Sequence, residues 1–377
     1  MTTTRATKRA TARAAVLTAP GSLELWDVPV PEVGDDDGLL AVEACGICGS
    51  DVEQLRAERP ADYYPITPGH EPIGTVIALG EGARQRWGVE VGDRVGVEAA
   101  ISCGRCAHCR SGRSIGCTDP RLPGPIRSYS TIPFRVPPHL WGGYSEVLYL
   151  DREARVHQVP DHVTLEEAAL LNPMANAIEW SVLTPRPLPG STAVVLGCGQ
   201  RGLLCVAALR EAGVATIVIT GLRSDRHKLE LASLLGADVT VCVEDEETIE
   251  AVRNATGGTF ADLVVDATPY ATQPVTDALE ITKPGGTIVL AGVKAGRSIP
   301  GFVSDRLVMK ELTLRGVLAA RTEAFDLAMK IIASRRHPLG ELHTHAFPLD
   351  RAAEAVATLA GHGGGAPAVA ITINPDK

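Results

Sequence analysis

Apolar and polar positions follow two different rhythms along this chain. In the first third, short alternating runs, Arg13–Thr18, Leu39–Glu43 and Ile73–Leu79, are each closed by turn-forming residues. A period of two sends successive side chains to opposite faces, so these runs predict a β-rich portion made of short strands. From about residue 165 the runs become continuously apolar and four to seven residues long: Thr192–Leu196, Ile217–Thr220, Val239–Val243, Leu263–Ala267 and Thr287–Val293. Strands of that kind have both faces buried, as in a parallel sheet covered by helices. The intervening segments supply those helices: Arg201–Ala212 is closed by Gly213, and Asp225–Leu235 by Gly236. A strand at Leu312–Leu318, helices at Thr322–Ser334 and Asp350–Leu359, and a last strand at Val369–Ile373 complete the pattern. Residues 118–141, crowded with prolines and carrying Tyr129, Phe134 and Trp141, read as an irregular insertion. Residues 1–13, basic and free of acids, read as a flexible tail.

Length and charge narrow the picture. A chain of 377 residues exceeds what one core usually supports, so two domains are expected. A net charge of -9 gives no field that would draw it to nucleic acid or an anionic membrane. No apolar stretch is long enough to span a bilayer and no secretory signal precedes the first strand, so the expectation is a cytoplasmic enzyme. The chain has nine cysteines, and four of them are crowded between 103 and 117. In such a context close spacing points to metal rather than disulfides.

Cys103, Cys106, Cys109 and Cys117 form C-x2-C-x2-C-x7-C, with Gly104 and Gly112 available for tight turns. Four thiolates close a tetrahedral shell around zinc and leave no position for water, so this lobe, about 98–118, predicts a structural site. The same ligand set also suits an iron–sulfur cluster. A nucleic-acid zinc finger fits poorly, because no helix-forming segment separates the pairs and only Arg105, Arg110 and Arg113 add local positive charge.

A second set of donors is dispersed. Cys48 lies in Gly46-Ile47-Cys48-Gly49-Ser50-Asp51, and His70 with Glu71 in Pro68-Gly69-His70-Glu71-Pro72-Ile73-Gly74. A thiolate, an imidazole and a carboxylate bind zinc while leaving room for a substrate oxygen. These motifs, with Gly92-Asp93-Arg94-Val95 and the four-cysteine lobe in the same order, resemble the zinc-dependent medium-chain alcohol, polyol and threonine dehydrogenases over about residues 14–373. The resemblance implies an α/β protein. A GroES-like catalytic domain, 14–173 and 318–377, would be interrupted by a Rossmann domain with a doubly wound parallel sheet, 174–317.

It also implies a catalytic zinc on Cys48 and His70 with Glu71 as a direct or alternating ligand. Asp51 then orients the histidine, and Ser50 relays the proton of the alcohol. Cys45 is expected to be a structural thiol. Two positions depart from the family pattern: Asn172 stands where a further ligand occurs, and Glu53 replaces a distal relay histidine.

Gly197-Cys198-Gly199-Gln200-Arg201-Gly202 follows an apolar strand and opens a helix, the context in which backbone N–H groups meet a pyrophosphate. The next strand leads into Gly221-Leu222-Arg223, without the acid that grips the ribose of NAD, so NADP is favoured over NAD. Asp225 could approach through a longer loop. Thr268, Ala291 and Val293, near the ends of later strands, complete the expected cofactor surface.

The resemblance thus implies hydride transfer between a secondary alcohol or polyol, or the matching ketone, and NAD(P). Substrate would sit in the cleft between the domains. Two zinc ions per subunit are expected, together with assembly as a homodimer or homotetramer in which the Leu312–Leu318 strand extends a sheet across a two-fold axis. The competing readings are a zinc-independent NADPH-dependent enone or quinone reductase on the same scaffold, and a non-catalytic NADP-binding protein.

Overall fold

The computed structural model describes residues 10–111, 114–120, 127–362 and 367–375. Gly112, Arg113 and residues 1–9 of the expected tail lie outside them, as do residues 121–126 of the expected insertion. The chain divides into two units, one running to Asn172 and resuming at His343, the other Pro173–Leu342.

The strands of the first unit are β1 Thr11–Ala19, β2 Ser22–Pro29, β3 Gly38–Gly46, β4 Glu71–Leu79, β5 Arg94–Val97, β6 Val147–Leu150 and β7 Val156–Gln158. The second unit contributes β8 Thr192–Leu196, β9 Thr216–Gly221, β10 Val239–Cys242, β11 Ala261–Asp266, β12 Thr282–Leu290 and β13 Thr313–Gly316. The chain then returns to the first with β14 His343–Phe347 and β15 Ala370–Ile373.

In the first unit β1 and β2 form an antiparallel hairpin, and the larger sheet has the order β14-β15-β3-β4-β5-β7, with β6 paired to β3. Leu40, Val42, Val76, Val95, Val97, Leu148 and Leu150 pack one continuous core from its strands. β1 begins at Thr11, so the last residues of the expected tail are ordered. Ala12 and Ala14 point inward while Thr11 and Arg13 face solvent, and Arg13 Nε meets Glu146 at 2.9 Å. The residues of 118–141 that are described carry few regular elements, yet several of them are buried. Tyr129 and Trp141 are buried in the core, where the Tyr129 hydroxyl accepts from the Asp151 amide and Trp141 Nε1 donates to the Val136 carbonyl.

The six strands of the second unit are parallel, in the order β10-β9-β8-β11-β12-β13. The strand order reverses between β8 and β11, which in a doubly wound sheet opens a crevice at the carboxyl ends of those strands. Val194, Val218, Val264 and Ile288 form its core. Residues 318–342, expected with the catalytic domain, belong to this second unit. Helix Thr322–Ser334 buries Ala324, Phe325, Ala328, Met329 and Ile332. At its start Arg321 grips the buried Glu179 with Nε and Nη2 at 3.0–3.2 Å, while its own amide donates to the same carboxylate. A carboxylate taken out of water needs such charge-assisted partners, and that requirement ties the segment here.

The Gly-rich turn is held by contact between backbones. A side chain on Gly202 would drive its Cβ into the carbonyl oxygen of Gly197, whereas one on Gly199 would meet no atom within 4 Å. Overpacking of this kind costs about 1–3 kcal/mol. Gly202→Ala is therefore expected to lower the thermal unfolding midpoint by about 3–10 °C, and Gly199→Ala by much less. Equal midpoints in differential scanning calorimetry would remove this packing account.

Candidate active site

The first cluster grows from the end of one strand and the start of another. β3 ends at Gly46, which pairs in register with Glu71, the first residue of β4. A Cβ on Gly46 would lie 2.6 Å from Glu71 Oε2, so the absence of a side chain there is what admits the carboxylate. Two residues beyond Gly46, Cys48 N-caps helix Gly49–Arg56: its sulfur accepts from the Ser50 amide at 3.4 Å, and its own amide donates to Asp51 Oδ2 at 2.8 Å. This reciprocal capping fixes the thiol and turns the other oxygen of Asp51 toward His70 Nδ1, at 3.3 Å. Gly69 has φ +91° and packs against the Tyr144 ring and Cys45 Sγ, leaving no space for a Cβ.

Cys48 Sγ, a ring nitrogen of His70 and a carboxylate oxygen of Glu71 lie within 4.8 Å of one another, and His70 Nε2 is 3.7 Å from Glu71 Oε1. Burial disfavours a charged ring at His70, but Asp51 and Cys48 outweigh it and hold its pKa well above the ordinary imidazole range. A pocket that favours positive charge, built from sulfur, imidazole and carboxylate, fits a zinc ion. Asp51 on Nδ1 leaves Nε2 as the metal-facing nitrogen.

The other expected site residues fall around this cluster. Ser50 Oγ is 3.1 Å from Cys48 Sγ and the residue is exposed; Glu53 lies on the same helix, half-buried. The Asn172 side chain is buried and its Nδ2 donates to the His70 carbonyl at 3.4 Å, bracing the segment that carries the imidazole. Cys45 is buried and free of disulfide. Sequence reasoning did not single out Tyr144. Its hydroxyl is fully buried without a hydrogen-bond partner among the described residues. Its pKa is pushed well up by burial and then by Asp51, Cys45, Glu71 and Cys48, and its ring packs against Gly69, next to His70 in the chain. The chain's return through Gly143 and Tyr144, whose amides donate to the Gly69 and Pro68 carbonyls, brings it there.

The four-cysteine group also converges, with its sulfurs within 4.8 Å of one another. Cys106 caps the short helix Ala107–Arg110, and backbone N–H groups point at the sulfurs: Cys103 toward Cys117 and Cys106 toward Cys103, each at 3.4 Å. Donors from Cys109 and Thr118 pull the Cys106 thiol down to about 5. Arg105 lies 3.5 Å from Asp119 and 3.2 Å from Glu153; Arg113 lies outside the described residues.

At the dinucleotide site, Gly197 (φ +97°) turns the chain from β8 into helix Gln200–Glu211, with Gly199 as its N-cap. Cys198 is buried, and a Cβ on Gly221 would strike its sulfur. Arg201 lies over the Trp180 indole, 5.4 Å from the centroid. Past β9, Leu222 is exposed and the Arg223 side chain is 58% exposed. Asp225 is folded back onto the Leu222 amide (3.3 Å) and Lys228 Nζ (2.8 Å). Asp245 binds the guanidinium groups of both Arg223 (2.5 Å) and Arg226 (2.9 Å). Glu244, an acid the sequence reading passed over, accepts from the Arg223 amide at 2.5 Å.

Comparison with known proteins agrees with this geometry. Residues 34–161 match the alcohol dehydrogenase GroES-like domain and residues 202–334 the zinc-binding dehydrogenase domain. The chain is 40% identical to a "Probable alcohol dehydrogenase" of Mycobacterium tuberculosis, over 97% of this chain and 99% of that one. It is 31% identical to an erythritol/L-threitol dehydrogenase of Mycolicibacterium smegmatis, over 89% of this chain and 91% of that one. Among solved structures, an alcohol dehydrogenase of Thermotoga maritima superimposes with a TM-score of 0.85 at 26% identity, covering 97% of this chain and 99% of the other. A protein of Sinorhizobium meliloti described as a zinc-binding dehydrogenase, and bound to NADP, gives 0.84 at 26% identity, covering 97% and 100%. The converging donors, the Gly-rich turn on a parallel sheet and these likenesses make the chain a member of the zinc-type medium-chain dehydrogenase/reductase family.

Proposed function

We propose that this protein oxidises a secondary alcohol or polyol, or reduces the matching ketone, with NADP preferred over NAD and two zinc ions per chain. The observation that carries the reading is the convergence of Cys48, His70 and Glu71 with Asp51 behind the imidazole. Zinc held there supplies Lewis acidity to a substrate oxygen, and the nicotinamide supplies the hydride acceptor. Asp51 keeps the His70 proton on Nδ1. Ser50, exposed beside Cys48, takes the alcohol proton, and Glu53 on the same helix is its outlet toward solvent. The four-cysteine lobe holds the second zinc and shapes its loop.

The NADP preference rests on Arg223. Its guanidinium is exposed and held by Asp245, which also holds Arg226, so two cations share one carboxylate where a 2'-phosphate would lie. Assembly with a second copy is supported by the edge strand β13, exposed throughout, and by the apolar Val308, Met309 and Leu318 in the segments flanking it, at 74%, 83% and 54% exposure. An open strand edge with apolar neighbours calls for cover.

Three measurements test the reading. Elemental analysis of the purified protein is expected to give about two zincs per chain, falling to about one in His70→Ala; one zinc with retained enone reduction would favour the zinc-independent reductase. Arg223→Asp is expected to shift the ratio of kcat/KM for NADP over NAD toward NAD by about tenfold or more, and an unchanged ratio would defeat the assignment. Ser50→Ala is expected to depress kcat by about a hundredfold while leaving cofactor affinity near its original value; unaltered turnover would remove Ser50 from the proton path.

A further inference from the structure

A buried ion pair closes the carboxyl edge of the parallel sheet. Asp266, the last residue of β11, is completely inaccessible, and Lys294, just beyond β12, brings its ammonium 2.7 Å from Asp266 Oδ2 with 11% of its side chain exposed. The same ammonium donates to the Thr268 carbonyl at 2.5 Å and to Thr268 Oγ1 at 3.0 Å. Asp266 Oδ1 in turn accepts from the Thr268 amide (3.0 Å) and hydroxyl (2.5 Å). The amide, carbonyl and hydroxyl of Thr268 are therefore each bound by the pair, the hydroxyl by both members.

The position of Thr268 gives this arrangement a use. β8 and β11 are the strands between which the sheet order reverses. A Cβ on Gly197, just past the end of β8, would lie 2.7 Å from Thr268 Cγ2, so the Gly-rich turn packs directly against Thr268. The Ala267 amide donates to the Leu196 carbonyl at 3.0 Å, and the Ala291 and Gly292 amides to the Asp266 carbonyl at 3.0 and 2.9 Å. Tyr270 joins Val293 by a further backbone hydrogen bond of 3.1 Å. The ends of three neighbouring strands thus form one braced rim. Lys294 is the more exposed partner of the pair, and Arg297 adds a second cation to the rim, its Nη1 donating to the Tyr270 carbonyl at 3.3 Å.

We propose that Lys294 is a positioning residue for the dinucleotide, holding the main chain of Thr268 against the Gly-rich turn and presenting a fixed positive end to the diphosphate. This rests on the dinucleotide reading above. Asp266 is fully buried and keeps the ammonium in place, so the positive group is the end of the pair nearer solvent. With Lys294 removed, the Thr268 carbonyl would turn an uncompensated acceptor toward an anionic ligand. Removing one partner alone also leaves a buried charge and endangers folding, whereas replacing both by neutral groups of similar shape is often tolerated.

The test is therefore the double variant Asp266→Asn/Lys294→Met, in which the asparagine oxygen still accepts from Thr268. Calorimetric titration with NADPH is expected to show a Kd raised about tenfold or more, with a thermal midpoint near that of the unaltered protein. Steady-state kinetics should show the KM for cofactor raised and the KM for alcohol within about twofold. A folded double variant that binds NADPH as tightly as the unaltered protein would reduce the pair to a structural role and overturn the proposal. If the variant does not fold, hydrogen–deuterium exchange of the unaltered protein decides: NADPH should protect residues 267–270 and 291–295 together with 197–202. Protection of 197–202 alone would also overturn it. An unaltered protein that binds neither NADPH nor NADH would instead take down the dinucleotide reading itself.

Discussion

The pairing of Gly46 with Glu71 at the end of the β3–β4 ladder is the constraint on which the first unit's chemistry depends. Antiparallel register is discrete, and a slip of one residue would send each side chain to the opposite face. In the register observed, the missing side chain of Gly46 leaves its place to the Glu71 carboxylate. Cys48 follows two residues after the ladder and His70 precedes it by one, so a single backbone pairing brings three donors together from segments some twenty residues apart. The capping of helix Gly49–Arg56 then spends the Cys48 amide and one Asp51 oxygen on each other, leaving the sulfur and the second oxygen for the histidine and a metal. What looks like a helix start also orients the donors.

The second unit uses the same device with different chemistry. Glycines let two backbones touch, here Gly202 against Gly197, and the sheet's reversal between β8 and β11 opens the space that results. Around it the charges are balanced rather than simply positive. Asp245 restrains Arg223 and Arg226, Asp225 restrains Lys228, and Asp266 restrains Lys294. Each anion holds a cation in place before any ligand arrives, which lowers the side-chain entropy lost on binding. Such a restrained guanidinium would suit the 2'-phosphate of the cofactor proposed above.

Much of this was legible in the sequence, and the divisions follow sequence distance. The apolar runs of β8 to β12, the cysteine spacing and the strand–glycine–helix turn are local patterns, and local physics determines them. The alternation of Thr11-Ala12-Arg13-Ala14 was equally local, but the basic composition of the segment obscured it. Tyr144 and Glu244 could not be found in this way, because a buried phenol packed against Gly69 and an acid next to the Arg223 amide exist only through pairings between distant segments. The burial of Tyr129 and Trp141 follows the same rule: proline-rich sequence forbids strands, but it does not forbid burial. Residues 318–342 joined the second unit because Glu179, buried there, needs Arg321.

Asn172 shows how one departure from a family pattern can be absorbed. A third acidic or thiolate donor at that position would add another anion to a pocket that already holds Cys48, Asp51 and Glu71. The amide instead donates to the His70 carbonyl, a hydrogen bond that an ionised carboxylate, having no proton to give, could not make. That hydrogen bond restrains the backbone that carries His70. Cys48, His70 and Glu71 would then hold the proposed zinc, and a fourth position would stay open to a substrate oxygen, as a catalytic site requires.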